Sequence, residues 1–274
     1  GINDNVNVRA GLMVVPMGIV NEYHEPTTFN GVERPSMDKA IVPTTWRELG
    51  VGVSGRWNEA SLRYQAYMFN GFASENNGKF LGGKNGFRNG RQKGAESTVN
   101  TPNLSATEDY YGIPGLRLGA SGYFGRTQAA DDIQEVAGAD VGINMFGLDA
   151  RYIKKRFSAR GQYIHALISD ADDYNTLNEA NLGSELKGWY VESAYNLLPL
   201  SKEQKLDAFV RYEQYDTHAA TKDAAITRNL AFNRQEWTAG LSYHIANGAV
   251  VKADYQILDN AAAGNEATGQ LNVG

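Results

Sequence analysis

Residues 236–257 read EWTAGLSYHIANGAVVKADYQI, and this stretch decides the fold. Side chains of an extended chain point to alternate faces, with a period of two residues. One face of the first half carries Trp237, Ala239, Leu241, Tyr243 and Ile245, and the second half repeats the pattern with Val251, Ala253, Tyr255 and Ile257. Polar or small residues occupy the positions between them. The stretch therefore predicts two amphipathic β-strands.

Asn247-Gly248 separates these strands and predicts a hairpin, because both residue types tolerate the positive φ angles of a type I′ turn. Strands of soluble sandwiches are typically ~5–6 residues long, whereas a tilted strand needs ~9–11 residues to cross a bilayer. The lengths of these runs favour a transmembrane sheet. A soluble sandwich, with one face in a core and the other in water, is the alternative.

The same alternation recurs along the chain. It predicts strands near 5–15, 47–57, 60–71, 101–111, 115–126, 139–153, 156–168, 187–198, 204–216, 234–246 and 249–259, with a partial strand at 269–274. Long connections at 16–46, 72–100, 127–138, 169–186, 217–233 and 260–268 alternate with short ones, as in outer-membrane barrels. The sequence thus predicts an all-β, transmembrane, antiparallel up-and-down β-barrel with about 12 strands, forming one domain over 1–274. We also expect missing N-terminal strands and a missing end of the last strand.

Composition narrows the function. The chain has no cysteine, only four scattered histidines and a net charge of −5. Disulfides and thiolate chemistry are therefore excluded, and a dense metal site or a general nucleic-acid partner is disfavoured. His165 and His244 lie on predicted strands, but nothing places a nucleophile beside either of them. We expect no enzyme and no cofactor.

One glycine-rich motif invites a different interpretation. Residues 50–55 read GVGVSG and match the dinucleotide-binding fingerprint. A turn at 57–59 follows the motif where the fingerprint requires a helix, so we expect these glycines to serve strand curvature or close packing.

The polar faces of the strands predict the lining of a pore. Basic residues on these faces are Arg9, Arg63, Arg117, Arg151, Arg160, Arg211 and Lys252, and acidic ones are Glu48, Glu108, Asp149, Glu192, Asp207, Glu213, Glu236 and Asp254. The two sets nearly cancel, so a lattice of solvated ion pairs is an alternative to an anion filter.

The connection 72–100 contains the one cluster of residues whose charges are mostly of the same sign. Its basic residues are Lys79, Lys84, Arg88, Arg91 and Lys93, with Glu75 and Glu96 as its acidic residues. Such a loop can fold into a barrel, narrow it and attract anions. Alternatively it lies outside, where its charges meet lipopolysaccharide phosphates.

Several stretches resemble a known family, the phosphate-selective porin O and P family. They are residues 9–11 (RAG), 16–18 (PMG), 113–125 (IPGLRLGASGYFG), 239–243 (AGLSY) and 252–256 (KADYQ). The resemblance implies a sixteen-stranded homotrimer in the bacterial outer membrane, with about four strands before Gly1. It does not by itself imply phosphate as the solute.

These observations together predict an outer-membrane porin for passive diffusion of small hydrophilic solutes, with a preference for anions. Its partners would be outer-membrane lipid, lipopolysaccharide and small anionic or polar solutes. The alternative is a barrel-anchored surface or adhesion protein whose long loops, 16–46 and 72–100, bind a partner.

Overall fold

The computed structural model describes residues 5–23, 25–94, 97–130, 133–222 and 226–274. The strands of this part of the chain are β1 (Asn7–Val14), β2 (Arg47–Trp57), β3 (Leu62–Phe69), β4 (Glu75–Asn76), β5 (Lys79–Phe80), β6 (Asn103–Ile113), β7 (Leu116–Arg126), β8 (Gly142–Lys154), β9 (Phe157–Ser169), β10 (Glu185–Asn196), β11 (Lys205–Ala220), β12 (Asn233–Ala246), β13 (Ala249–Asn260) and β14 (Thr268–Val273). Its α-helices are α1 (Ile19–Glu22), α2 (Met37–Ala40) and α3 (Ala171–Asn178), and its 3-10 helices are Pro26–Thr28, Asn58–Ala60, Arg88–Gly90 and Leu230–Phe232.

Twelve of the strands form one antiparallel sheet in chain order, from β1 to β14, with the small hairpin β4–β5 set apart. Each predicted strand overlaps one of these twelve, so the predicted up-and-down architecture is confirmed. The β4–β5 hairpin inside 72–100 was not predicted. Short connections lie at one end of the strands, which we call the turn side, and long connections lie at the other end, which we call the loop side.

The connection between β12 and β13 is a tight hairpin, as predicted, but it is not a type I′ turn. Gly248 has φ 83°, whereas Asn247 keeps a negative φ. The strand register shifts between His244 and Ala246 just before the turn. Such a bulge adds a residue to one strand and changes the geometry that the turn must provide.

One face of the sheet exposes large apolar side chains. On β12, Trp237 and Leu241 are exposed while Thr238 and Ser242 are buried, as the alternation predicts. The rings of Trp189, Tyr212 and Trp237 form a row across three strands, with centroids 5.3 Å and 4.7 Å apart. An apolar surface with aromatic residues is what a bilayer requires of a barrel's outer wall. Among the described residues, no helix is long and apolar enough to cross a membrane.

The glycines of β2 make room for aromatic rings. A Cβ on Gly52 would lie 2.2 Å from the Ala66 carbonyl oxygen and 2.6 Å from the Tyr67 ring. A Cβ on Gly50 would lie 2.4 Å from both the Met68 carbonyl oxygen and the ring of Phe69. These close approaches to β3 explain the GVGVSG motif without a nucleotide.

The described residues of 15–46, here called the inserted loop, pack against the other face of the sheet. In the loop-side half, Met17, Ile19, Met37 and Trp46 are buried in one apolar core with wall residues. The wall residues of this core include Ile143, Met145, Ile164, Ala166, Leu186 and Tyr190. The inner face therefore carries an apolar core in its loop-side half, where Glu48 and Asn103 are buried as well, and its arginines lie towards the turn side.

The described residues of 72–100, here called the capping loop, pack on the inserted loop. Phe72 stacks on Trp46 with centroids 4.1 Å apart, and Phe87 stacks on Phe72 at 5.4 Å. The backbone N–H of Phe87 donates to the carbonyl of Ala40 over 2.9 Å. The two loops thus form one layered core inside the sheet. Glu96 lies outside the described residues.

The facing prediction for Glu108 is wrong. Glu108 is exposed on the outward face of β6, whereas its neighbour Asp109 is buried on the inward face. Leu104 and Ala106 share the face of Glu108, so the apolar alternation itself assigns this glutamate outward.

Candidate functional site

The turn-side half of the inner wall carries the basic residues that the alternation predicted. Arg63 lies one residue inside the start of β3, Arg117 one residue inside the start of β7, and Arg151 three residues before the end of β8. Arg160 and Arg211 continue the row on β9 and β11. These side chains face the tip of the inserted loop, which descends from the loop side to meet them.

Glu22 and Tyr23 of the inserted loop contact two of these arginines. Glu22 Oε1 accepts from Arg63 Nη2 over 3.1 Å and from Gln65 Nε2 over 2.7 Å, and its Oε2 accepts from Arg117 Nη2 over 3.4 Å. The Tyr23 hydroxyl accepts from Arg63 Nη1 over 3.3 Å and from Arg117 Nη1 over 3.0 Å. Two neighbouring loop residues thus bind the same arginine pair.

Two guanidinium groups also lie over the Tyr23 ring. The Arg151 carbon Cζ is 4.8 Å from the ring centroid and that of Arg117 is 5.6 Å away, distances at which cation–π attraction acts. Burial alone would raise the pKa of Tyr23, but the hydrogen bonds from Arg63 and Arg117 outweigh it and lower the pKa below its usual value of 10.0. The ring is held inside a cationic frame.

Asp109 completes this arginine cluster. Arg117 binds it through two hydrogen bonds, from Nε to Oδ1 over 2.8 Å and from Nη2 to Oδ2 over 2.6 Å. Arg63 Nε lies 3.7 Å from Oδ2 of the same carboxylate, and Asp149 lies 3.5 Å from Arg151. A two-pronged arginine–carboxylate pair is a strong and directional contact, so Arg117 is firmly positioned.

A second charged cluster lies further along the wall. Glu192 pairs with Arg160 over 2.8 Å and with Arg211 over 3.4 Å, and it accepts from Asn30 Nδ2 over 2.9 Å. Lys252 Nζ donates to the carbonyls of Phe29 over 2.7 Å and Gly31 over 2.8 Å. These contacts fix the inserted loop to β9, β10, β11 and β13.

A cavity of about 540 Å³ opens at the turn side below Thr27–Asn30. Its walls carry both signs of charge, with Arg151, Arg160 and Lys205 on the basic side and Glu203 and Asp207 on the acidic side. A second cavity, of about 420 Å³, is lined by Arg9, Arg56 and Arg63. Arg151 therefore borders one cavity and Arg63 borders the other.

The basic residues of the capping loop lie elsewhere. Lys79, Lys84, Arg88 and Lys93 are exposed. Arg91 is buried and donates from Nη1 to the carbonyl of Thr44 over 2.5 Å and to Thr45 Oγ1 over 3.1 Å. Burial, with the charge of Arg88, lowers the pKa of Arg91 to about 10. The structure brings the wall arginines together around the inserted loop, and it places the capping loop above that loop.

Sequence reasoning missed Glu22, Tyr23 and Asp109. The clustered apolar residues at both ends of 16–46, such as Met17 and Trp46, are the signal that this connection packs inside. His165 and His244 lie on opposite faces of the sheet, the first bonded to Glu185 on the outward side. Within the described ranges, no group of three or more His, Asp or Glu side chains is arranged to hold a metal ion.

The chain resembles solved structures of outer-membrane channels. The anion-selective porin from Comamonas acidovorans superposes with a TM-score of 0.55 at 11% identity, covering 93% of this chain and 64% of that one. The outer membrane channel DcaP of Acinetobacter baumannii superposes with a TM-score of 0.58 at 10% identity, covering 97% of this chain and 69% of that one. At these identities the likeness shows the barrel fold.

Sequence comparison assigns the family. An uncharacterized protein of Aquifex aeolicus (strain VF5) is 31% identical over 261 residues, which is 90% of this chain and 57% of that protein. The chain thus spans a little over half the length of this relative. The profile of the family described as phosphate-selective porin O and P matches residues 1–270. The chain belongs to the phosphate-selective porin O and P family, a family of the bacterial outer membrane.

Proposed function

We propose that this protein is an outer-membrane porin through which small hydrophilic solutes diffuse passively. One observation carries the proposal, namely the pairing of an exposed apolar outward face with an inward face that is charged on its turn side. Such a wall excludes water from the lipid side and keeps it on the other. The mechanism needs no catalytic group and no cofactor.

We further propose a preference for anions, set by wall arginines with access to water. Arg9, Arg63 and Arg151 line the two cavities, and the Arg151 side chain is 20% exposed. Arg160 also lines the larger cavity but is bound to Glu192, and Arg117 is bound to Asp109. A fixed charge acts strongly on a passing ion only within about a Debye length, ~8 Å at physiological salt. The comparison with an anion-selective porin agrees with this preference.

The remaining basic residues support a different contact. Lys79, Lys84, Arg88 and Lys93 are exposed on the capping loop, which joins strands on the loop side. We propose that they meet lipopolysaccharide phosphates at the outer surface, and that the protein forms a homotrimer of single-domain barrels. The adhesion alternative loses support, because the inserted loop packs against the wall and is not free to bind a partner.

The direct test is a planar-bilayer recording across a salt gradient. A reversal potential of the sign that indicates anion permeation supports the proposal, and Arg151→Gln should move that potential towards cation permeation, most strongly at low ionic strength. Lys154→Gln is the matched control, since Lys154 lies on the same strand end but is exposed on the opposite face. Absence of any conductance from the purified protein would contradict the porin function.

A further inference from the structure

The carboxylate of Glu22 occupies a ready-made carboxylate site. Three donors converge on its two oxygens, from Arg63, Gln65 and Arg117. The donor Gln65 is buried on β3, and the buried Asp109 on the adjacent strand β6 pairs with the two arginines. The three donors are therefore held in place by the wall. The Glu22 side chain itself is 15% exposed, and two of its donors, Arg63 and Gln65, line the cavity of about 420 Å³.

Charge balance depends on this one side chain. The cluster contains three guanidinium groups, from Arg63, Arg117 and Arg151, and three carboxylates, from Glu22, Asp109 and Asp149. Asp109 and Asp149 are fixed on β6 and β8, whereas Glu22 belongs to a loop. Withdrawal of Glu22 would leave one positive charge in excess and free the donors that now bind it.

Glu22 is also held so that it cannot diffuse away. It is the last residue of α1, and the backbone N–H of Ile19 at the start of that helix donates to Gln162 Oε1 on the wall. On the other side, Thr28 Oγ1 donates to the carbonyl of Tyr23 over 2.5 Å. A tethered group acts at a high effective concentration, so even weak contacts keep it bound.

We infer that Glu22 is a built-in competitor for the Arg63–Gln65–Arg117 site, and that the solutes it competes with are small carboxylates. The inference rests on the proposed function, since a solute must reach the wall from water. Glu22 then sets how tightly a passing carboxylate is retained. While Glu22 is bound, the cluster has no net charge and its affinity for a solute carboxylate is low. A solute carboxylate binds by replacing Glu22 as the acceptor of the three hydrogen bonds.

The test measures block of chloride current by acetate, which is the isolated head group of the Glu22 side chain. Glu22→Gln should lower the acetate concentration for half-block by about tenfold or more, because one charge-assisted contact of the competitor is worth at least that factor. Glu22→Asp keeps the charge but shortens the side chain by one methylene. It should give a value between the native protein and Glu22→Gln.

Glu33→Gln is the control for charge alone, because Glu33 lies on the same loop, is exposed and pairs with Lys39. Its acetate concentration for half-block should equal that of the native protein. The competitor role is wrong if Glu22→Gln conducts chloride but needs the same acetate concentration for half-block as the native protein. It is also wrong if Glu33→Gln lowers that concentration as much as Glu22→Gln does. In either case the porin function stands. If Glu22→Gln fails to insert into the bilayer, Glu22→Asp decides the question. An acetate concentration for half-block below the native one supports the competitor role, and an unchanged concentration contradicts it. A native protein that passes no chloride would refute the proposed function itself.

Discussion

Gln162 on β9 donates from Nε2 to Oδ1 of the buried Asp38 over 2.7 Å. The same amide accepts at Oε1 from the backbone N–H of Ile19 over 2.5 Å. Ile19 begins α1 and Asp38 lies in α2, so one wall side chain holds both limbs of the inserted loop. This contact fixes the depth at which the tip of that loop meets the wall arginines.

Replacing this amide should loosen the inserted loop. Gln162→Leu leaves Asp38 and the Ile19 N–H without this partner, and each buried unsatisfied group costs ~1–3 kcal/mol. We expect a lower unfolding midpoint in detergent and faster proteolysis within 16–46. Gln214→Leu, which removes a half-exposed amide on β11, is the control and should change neither. Equal effects at both positions would contradict the anchoring role.

The docking of the inserted loop should depend on pH through Asp38. Burial raises the pKa of Asp38 from 3.8 to about 7, although Gln162, Arg160 and Arg211 act in the opposite direction. The folded protein therefore binds a proton that the unfolded chain releases, so this group stabilises the fold most below pH ~4. That contribution falls as pH rises towards about 7 and is lost above it.

The measurement is the difference in Tm between the native protein and Asp38→Asn at a series of pH values. Asn cannot titrate, so the difference isolates Asp38 from the other buried carboxylates. The native protein should lose stability relative to the variant between pH ~4 and about 7. A difference that is flat over this range would show that Asp38 titrates normally.

Arg91 should hold the capping loop on the inserted loop. Arg91→Ala removes its hydrogen bonds to the Thr44 carbonyl and to Thr45 Oγ1, and a bond from a charged group contributes ~1.5–3 kcal/mol. We expect a loss of stability of that order and earlier proteolysis within 72–100. Lys93→Ala, two residues away and exposed, should leave both unchanged.

The two faces of the sheet should respond differently to a new charge. Ala239 is exposed in the middle of β12 on the apolar face, so Ala239→Arg should cost ~2–4 kcal/mol if it faces the bilayer midplane. Ser158 lines the cavity of about 540 Å³ on the inner face, where an arginine can remain hydrated. Ser158→Arg should change the free energy of unfolding by less than the first variant. The reverse order would refute the facing assignment.

Tryptophan fluorescence can show which face of the sheet contacts lipid, without the introduction of a charged residue. Trp237 is 53% exposed on the apolar face, whereas Trp46 is fully buried in the inner core. In single-tryptophan variants reconstituted into vesicles, lipids with brominated chains should quench Trp237 and leave Trp46 unchanged. Quenching of Trp46 would place the inner core in contact with lipid.

The strands could be predicted from sequence because their signal is local. Period-two alternation places Trp237 and Leu241 on one face whatever the rest of the chain does. Pairing between neighbours in the chain then follows from the short turns. Arg63, Arg117 and Arg151 were assigned to the inner face on the same basis, and the structure places them there.

The partners of these arginines could not be predicted in the same way. Glu22 reaches Arg117 across 95 positions of sequence, and Lys252 binds the carbonyl of Phe29 across 223. No alternation encodes such contacts. Charge counting singled out the capping loop, but both loops pack inside the sheet through apolar residues such as Trp46 and Phe72. Burial of these side chains stabilises the protein more than solvated charges attract each other.

The contact between Lys252 and the Phe29 carbonyl also imposes an order on folding. The inserted loop docks on β13, a strand synthesised more than two hundred residues later, so the loop cannot reach its final position until nearly the whole sheet has paired. Until β3 and β7–β11 have paired, Met17, Ile41 and Trp46 also lack part of the core that buries them. During assembly these side chains form an exposed apolar segment. The sheet must pack around this segment before the chain aggregates through it.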